Sequence, residues 1–185
     1  MTSIYLAGPE VFLPGAVEMG RRKSALCAKY GFRGLYPLDA EFSGQESEGL
    51  SKQIFASNVG LIRACDAIIA NLTPFRGPSA DAGTVFEVGF AFGVGKPVFA
   101  FSNRIDPYLA RVRCSHGPLV EKDGQFFARD GMSVENFGLS DNLMIDEAIR
   151  AQGREIVAQE VEELRLFTDL GAFEECLRQA SRHFN

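Results

Sequence analysis

Asp66-Ala-Ile-Ile-Ala-Asn-Leu-Thr-Pro-Phe-Arg-Gly-Pro-Ser-Ala-Asp81-Ala-Gly-Thr-Val-Phe-Glu87-Val-Gly-Phe-Ala-Phe-Gly-Val-Gly-Lys-Pro-Val-Phe-Ala-Phe101 is the stretch that decides the fold. Ala67 to Ala70 is a near-continuous apolar run, as in a parallel strand buried on both faces. A polar loop punctuated by Pro74, Gly77 and Pro78 follows. Gly83 to Gly93 then reads as a helix carrying Val85, Phe86, Val88, Phe90, Ala91 and Phe92. It is apolar nearly all round, so it is expected to be buried on more than one side or to lie at a subunit interface. Gly95-Lys-Pro97 turns the chain into a strand over Val98–Phe101. Strand, loop, helix and strand in this order are a βαβ unit.

The flanks extend that rhythm. Ser3 to Ala7 is a short apolar strand ending at Gly8-Pro9, with Glu10 to Pro14 as a loop. Ala16 to Tyr30 reads as an amphipathic helix stopped by Gly31. Phe32 to Leu38 reads as a second strand, interrupted by Gly34 and closed by Pro37, and residues 39–50 as a loop long enough to overhang a site at the sheet edge. Ser51 to Cys65 is helical by the spacing of Ile54, Phe55, Val59, Leu61 and Ile62, with Asn58 beside that stripe. A mid-helix Asn is mildly unfavourable and points either to a hydrogen bond with a neighbouring loop or to a role in a site.

Residues 102–137 show little periodicity, apart from a hairpin expected at Gly124 between Leu119-Val-Glu and Gln125-Phe-Phe. A helix is expected to open within 136–145, capped by Ser140 or Asp141. Ile156 to Ala180 reads as a closing helix or helix pair, with a short strand at Ile156-Val157 as an alternative start. The fold class is therefore α/β, and residues 1–185 are read as one domain.

Composition narrows the function. A formal net charge of −5, without a basic run beyond Arg21-Arg22-Lys23, argues against a nucleic-acid polymer as partner. That trio reads as a solvated helix face. Cys27, Cys65, Cys114 and Cys176 show no metal or redox spacing and read as buried free thiols of a reducing compartment. His116 and His183 are far apart and lack carboxylate companions, so no metal site is expected. The Gly77–Gly83 loop has neither a dinucleotide fingerprint nor a phosphate-binding lysine motif, so no cofactor is expected. The N-terminus lacks the pattern of a signal peptide, and no apolar run reaches transmembrane length; a cytoplasmic location is the expectation, with no membrane partner.

Ligands of open α/β sheets bind outside the carboxyl ends of the strands. Three groups are delivered to that edge: Tyr5 from the first strand, Asp81 from the loop, and Glu87 from the first turns of the helix. Glu87 is flanked by Phe86, Val88, Phe90 and Phe92. Desolvation makes such a carboxylate more basic, while the helix N-terminus favours the anion. A carboxylate held in an apolar cleft suits attack on an anomeric carbon, whose transition state resembles an oxocarbenium ion. Tyr5 could fix it and Asp81 could carry protons to a leaving group. The alternative is a capping Asp followed by a buried structural Glu. Gly89 and Gly93, four apart, permit close helix packing.

At these residues the chain resembles the nucleoside 2-deoxyribosyltransferases, and within them a purine-type, protozoal-like branch. The matching pieces are Ile4-Tyr-Leu-Ala-Gly-Pro-Glu-Val-Phe-Leu-Pro14, Ile62-Arg-Ala-Cys-Asp-Ala-Ile-Ile-Ala-Asn-Leu-Thr-Pro-Phe-Arg-Gly77, Asp81-Ala-Gly-Thr-Val-Phe-Glu-Val-Gly89 and Gly138-Leu-Ser-Asp-Asn-Leu-Met144. The resemblance implies a doubly wound, five-stranded parallel sheet of flavodoxin-like or Rossmann-like type. It implies a ping-pong transfer of 2-deoxyribose between bases through an ester on Glu87. Asp81 would contact and protonate the base, and Tyr5 would orient the nucleophile. Gly8 and Asn58 would lie at the substrate, Asn58 standing where some members have a sugar-contacting aspartate. Asn142 and Met144 would reach a neighbouring subunit's pocket, so a homo-oligomer is implied. The partners would be deoxyribonucleosides and free nucleobases.

Two rival readings follow. A related enzyme type hydrolyses deoxynucleoside 5′-monophosphates and would need a phosphate nest, for which Ser43-Gly44, Arg76 and Ser79 are candidates. A nucleotide-binding module without catalysis would have no use for a reactive Glu87.

Overall fold

In the computed structural model the described residues are 1–39 and 49–184. Most of the 39–50 segment, including Ser43 and Gly44, therefore lies outside the described residues. The five parallel strands are β1 (Ser3–Ala7), β2 (Arg33–Leu35), β3 (Ala67–Asn71), β4 (Val98–Ser102) and β8 (Val157–Ala158). They run in the order β2-β1-β3-β4-β8. The main helices are α1 (Ala16–Lys29), α2 (Leu50–Ala64), α3 (Ala82–Gly93), α4 (Tyr108–His116), α5 (Leu143–Arg150) and α6 (Gly171–Phe184).

Alternation along the strands sorts the helices into two layers. Ile4, Leu6 and Ile69 pack with Cys27 of α1 and with Phe173, Cys176 and Leu177 of α6. Tyr5, Ala7, Ile68 and Ala70 face the other way, onto Ile62 of α2, Val88 and Ala91 of α3, and Ile145 and Ile149 of α5. This is the doubly wound sheet implied by the resemblance. Its strand order reverses between β1 and β3, and such a switch point opens a crevice at the carboxyl ends of those strands.

A small antiparallel sheet, β5 (Val120–Lys122), β6 (Gln125–Phe127) and β7 (Ser133–Val134), occupies the segment of weak periodicity. The hairpin falls at Gly124: Asp123 and Gly124 have φ of 53° and 76°, the left-handed pair of a two-residue turn. Among the described residues no helix is long and apolar enough to cross a membrane.

Several sequence expectations are corrected. The second strand stops at Leu35, because Pro37 cannot extend the ladder and opens a 3-10 turn over Pro37–Asp39. The Glu10–Pro14 loop begins as a 3-10 turn over Pro9–Phe12. Helix α4 carries no amphipathic signal, since Val112 is its one buried residue. It is held instead by Arg111, which donates to the carbonyls of Pro78, Asp106 and Ser140. The cap of α5 is Asn142 rather than Ser140 or Asp141. The stretch 156–180 is neither one helix nor a helix pair: it opens with the short strand given as the alternative, β8, which joins β4, a 3-10 turn covers Glu163–Arg165, and α6 starts only at Gly171. Asp169 accepts the Gly171 N–H there at 2.8 Å. Arg21 and Arg22 are exposed, but Lys23 is fully buried and not part of a solvated face. Of the four cysteines expected to be buried, Cys27, Cys65 and Cys176 are, whereas Cys114 is exposed on α4, whose one buried residue is Val112.

Candidate active site

The β1–β3 crevice holds a cavity of about 520 Å³ lined by Gly8, Val11, Phe12, Pro37, Leu38, Leu50, Ile54, Asn58, Asp81, Gly83, Thr84 and Glu87. Each lining segment follows from the topology. Gly8 to Phe12 leaves β1, and Pro37-Leu38 leaves β2. Ile54 and Asn58 share one face of α2, four residues apart. Asp81 to Glu87 opens α3.

Glu87 is the centre of the polar contacts. Its Oε1 accepts the Tyr5 hydroxyl at 2.6 Å and lies 3.5 Å from Asn58 Nδ2. Burial pushes the Glu87 carboxyl up to about 7; the Tyr5 hydrogen bond pulls the other way, and the Asp81 charge adds to the rise. Burial and the neighbouring Glu87 also hold the Tyr5 phenol well above its usual range. Near neutral pH, then, Tyr5 is a fixed proton donor and Glu87 is poised between acid and anion.

Asp81 caps α3: its Oδ2 accepts the Thr84 N–H at 2.9 Å and the Thr84 hydroxyl at 3.1 Å. Capping and a role in the cavity are compatible here. One carboxylate oxygen serves the helix, and Oδ1 has no partner among the described residues. Asn58 Oδ1 is buried and likewise without a partner, an acceptor beside the cavity that a ligand hydroxyl or amide could satisfy.

The floor under Gly8 is ionic. Lys23 Nζ lies 2.5 Å from Glu10 Oε1, both side chains essentially fully buried, and Asn71 Nδ2 donates to the same oxygen at 2.9 Å. A β-carbon added at Gly8 would stand 1.9 Å from Glu10 Oε2, so only glycine lets the strand end close over this pair. The sequence reading named Gly8 but missed Glu10 and Lys23, because nothing local marks a buried ion pair.

Gly8, Asn58, Asp81 and Glu87 thus line one cavity, and Tyr5, fully buried, reaches it through its hydrogen bond to Glu87. Asn142 and Met144 do not line it. Asn142 caps α5 through Met144 N–H and donates to Glu135 at 2.7 Å, and Met144 is exposed at the surface. Phe12 and the apolar wall from Val11, Leu38 and Ile54 escaped the sequence reading. An aromatic side chain just past the end of the first strand was the available signal. Phe12 stacks on Phe75 with ring centroids 5.4 Å apart, and the Arg76 guanidinium sits 5.2 Å from the Phe12 ring.

Comparison with known proteins gives this arrangement a family. The chain is 32% identical to a 2-desoxiribosyltransferase of Leishmania mexicana of known structure, over 96% of this chain and 98% of that one, with a TM-score of 0.68. A conserved protein of Enterococcus faecalis shares the fold at 20% identity and a TM-score of 0.57, over 97% and 99% of the two chains. An uncharacterized protein of Schizosaccharomyces pombe is 30% identical over 164 residues, 81% of this chain and 78% of that one. The family model for nucleoside 2-deoxyribosyltransferases matches residues 4–144, so the chain belongs to that family and is an enzyme of its type.

Proposed function

We propose that the protein exchanges bases on 2′-deoxyribonucleosides, with purines as the principal bases, by a ping-pong mechanism through a 2-deoxyribosyl ester on Glu87. The observation that carries the reading is the Tyr5–Glu87 hydrogen bond at the wall of a largely apolar cavity that Asp81 also lines.

In the first half-reaction a Glu87 carboxylate oxygen bonds to C1′ as the C1′–N9 bond breaks. The electron pair leaves with the base, and Asp81 supplies the proton that makes it neutral. The free base departs and the sugar remains as an ester. In the second half-reaction an incoming base attacks C1′, gives its N–H proton to Asp81 and releases Glu87 as carboxylate. Inversion twice gives net retention. Desolvation strengthens the attraction between Glu87 and the oxocarbenium-like sugar. The orphan acceptor of Asn58 is suited to a sugar hydroxyl, and the Gly8 backbone lines the cavity at the end of β1. The apolar wall and Phe12 suit the face of a base.

A second copy of the chain completes the site in this reading. Phe55, Phe86 and Phe92 are exposed on α2 and α3, and Met144 is exposed at the start of α5, leaving an apolar surface suited to a homo-oligomer. Asn142 and Met144 would then act in a neighbouring subunit's cavity.

The test is incubation of deoxyinosine or deoxyadenosine with a different free base and chromatography for the new nucleoside. Exchange is expected from the native protein and none from Glu87→Ala. Exchange by Glu87→Ala at the native rate would defeat the reading. Deoxynucleoside 5′-monophosphates assayed in parallel report the rival hydrolase: rapid release of base and sugar phosphate from them alone would replace transfer.

A further inference from the structure

Asp141 is buried, 2% exposed, although its neighbours Ser140 and Asn142 are residues of turns and caps. It does not cap α5, a task that falls to Asn142. Its carboxylate crosses to the loop after β3. One oxygen accepts the Ser79 hydroxyl, and the other accepts the Ala80 N–H at 2.9 Å. Arg111, itself 9% exposed in its side chain, stands 3.3 Å from that second oxygen. The Asp141 N–H is in turn held by Asp146 at 2.9 Å. A carboxylate withdrawn from water needs this many partners, and most of them could have been met anywhere in the fold. Asn142 N–H donates to the oxygen that holds Ser79, at 2.8 Å, and apart from that N–H and Arg111 the carboxylate's partners are the two residues immediately before Asp81.

Asp81 is therefore fixed from both sides. Thr84 holds its side chain from within α3, and Asp141 holds the backbone that leads into it. Proton delivery to a leaving base depends on sub-ångström placement of the donor, which a loop rich in Gly and Pro cannot supply unaided. We propose that Asp141, backed by Arg111, is a positioning residue that sets where the Asp81 carboxyl meets the leaving base. The proposal rests on the reading of Asp81 as the proton donor to that base.

The chemistry offers a readout that general damage to the fold would not imitate. When deoxyinosine is the donor, the C1′–N9 electron pair goes to hypoxanthine and a proton must arrive from the enzyme. When 7-methyl-2′-deoxyguanosine is the donor, the imidazolium ring already carries the positive charge. Breaking C1′–N9 then yields neutral 7-methylguanine without a proton from Asp81. Under ping-pong kinetics kcat/KM for the donor reports this half-reaction alone.

The experiment measures donor kcat/KM for both nucleosides, with adenine as acceptor, in the native protein, Asp141→Asn, Ser79→Ala and Asp81→Asn. General acid catalysis contributes about 10²–10⁴-fold, so a misplaced acid is expected to lose about tenfold or more with deoxyinosine in Asp141→Asn. The loss with 7-methyl-2′-deoxyguanosine is expected to stay within about twofold on the same argument. Ser79→Ala removes one of the contacts and is expected to show the same selectivity at smaller amplitude. It decides the matter alone if Asp141→Asn does not fold. Equal losses with both donors, or no loss with either, overturn the role of Asp141. An Asp81→Asn protein that keeps its deoxyinosine rate overturns the reading of Asp81 itself, and this inference with it; a selective loss in Asp81→Asn without one in Asp141→Asn defeats the inference alone.

Discussion

The Tyr5 hydroxyl donates to Glu87 Oε1 at 2.6 Å, across the gap between β1 and the second turn of α3. The contact has two consequences. It fixes the carboxylate toward the cavity, and it stabilises the anion against a burial that favours the acid. Tyr5→Phe removes both. Activity that needs Glu87 as carboxylate should rise with pH through about 7 in the native protein. In Tyr5→Phe the same rise should move to higher pH, with kcat/KM at pH 7 reduced about tenfold, the value of one charge-assisted hydrogen bond. A pH profile of kcat/KM for deoxyinosine checks this; an unmoved acid limb counts against it.

The same shift makes Glu87 a burden on the fold. Its folded-state value of about 7 lies above the ordinary 4.5, so the neutral acid is the form the fold prefers. Stability from this group is complete below pH 4.5 and is lost as pH rises through 7. The loss is at most on the order of 3 kcal/mol above pH 8. Glu87→Gln keeps an acceptor for Tyr5 and cannot ionise. It should melt higher than the native protein at pH 8 and level with it at pH 4.5. A thermal melt at the two pH values decides it, and an equal gain at both would show that ionisation is not the cause.

Lys23 and Glu10 form an ion pair withdrawn from solvent beneath Gly8. Breaking such a pair on one side strands a buried charge. Lys23→Met should destabilise the protein by about 3–5 kcal/mol, and the double variant Lys23→Met/Glu10→Gln by clearly less. Urea denaturation of both proteins tests it. A double variant as unstable as the single would mean that Lys23 matters through its packing on Phe101 and Phe173 rather than through its charge.

These contacts also show which parts of the molecule a sequence can reveal. The strands β1, β3 and β4 and helices α1, α2 and α3 were legible because each carries its own hydrophobic period or apolar run. Tyr5, Asp81 and Glu87 were legible because topology sends their elements to the same edge of the sheet. Lys23 was misread because Arg21, Arg22 and Lys23 look alike in sequence. Only the partner, Glu10, turns one of them inward. The cap of α5 was misplaced for a similar reason: Ser140, Asp141 and Asn142 are all cap-forming types, and Asp141 is drawn away to Ser79 and Ala80. Helix α4 escaped because carbonyls bonded to Arg111, rather than an apolar stripe, hold it.

The exposed rings of α2 and α3 form one cluster. Phe86 stacks on Phe90 with centroids 6.1 Å apart and tilts against Phe55 at the same distance, yet Phe86 and Phe55 remain more than half exposed. Large exposed rings in a cluster suit the docking of a second copy of the chain, as proposed above. The α2 face carrying Ile54 and Asn58 meets the cavity, so a copy docked on the rings would stand beside the substrate. Phe86→Glu places a charge at this surface while leaving the core untouched. Sedimentation velocity should find the variant one association state below the native protein, with unchanged circular dichroism. If Asn142 and Met144 act across that contact, base exchange should fall at least tenfold in the dissociated protein, comparable to removing a hot-spot residue. A Phe86→Glu protein that dissociates yet exchanges bases at the native rate would show that each subunit carries a complete site.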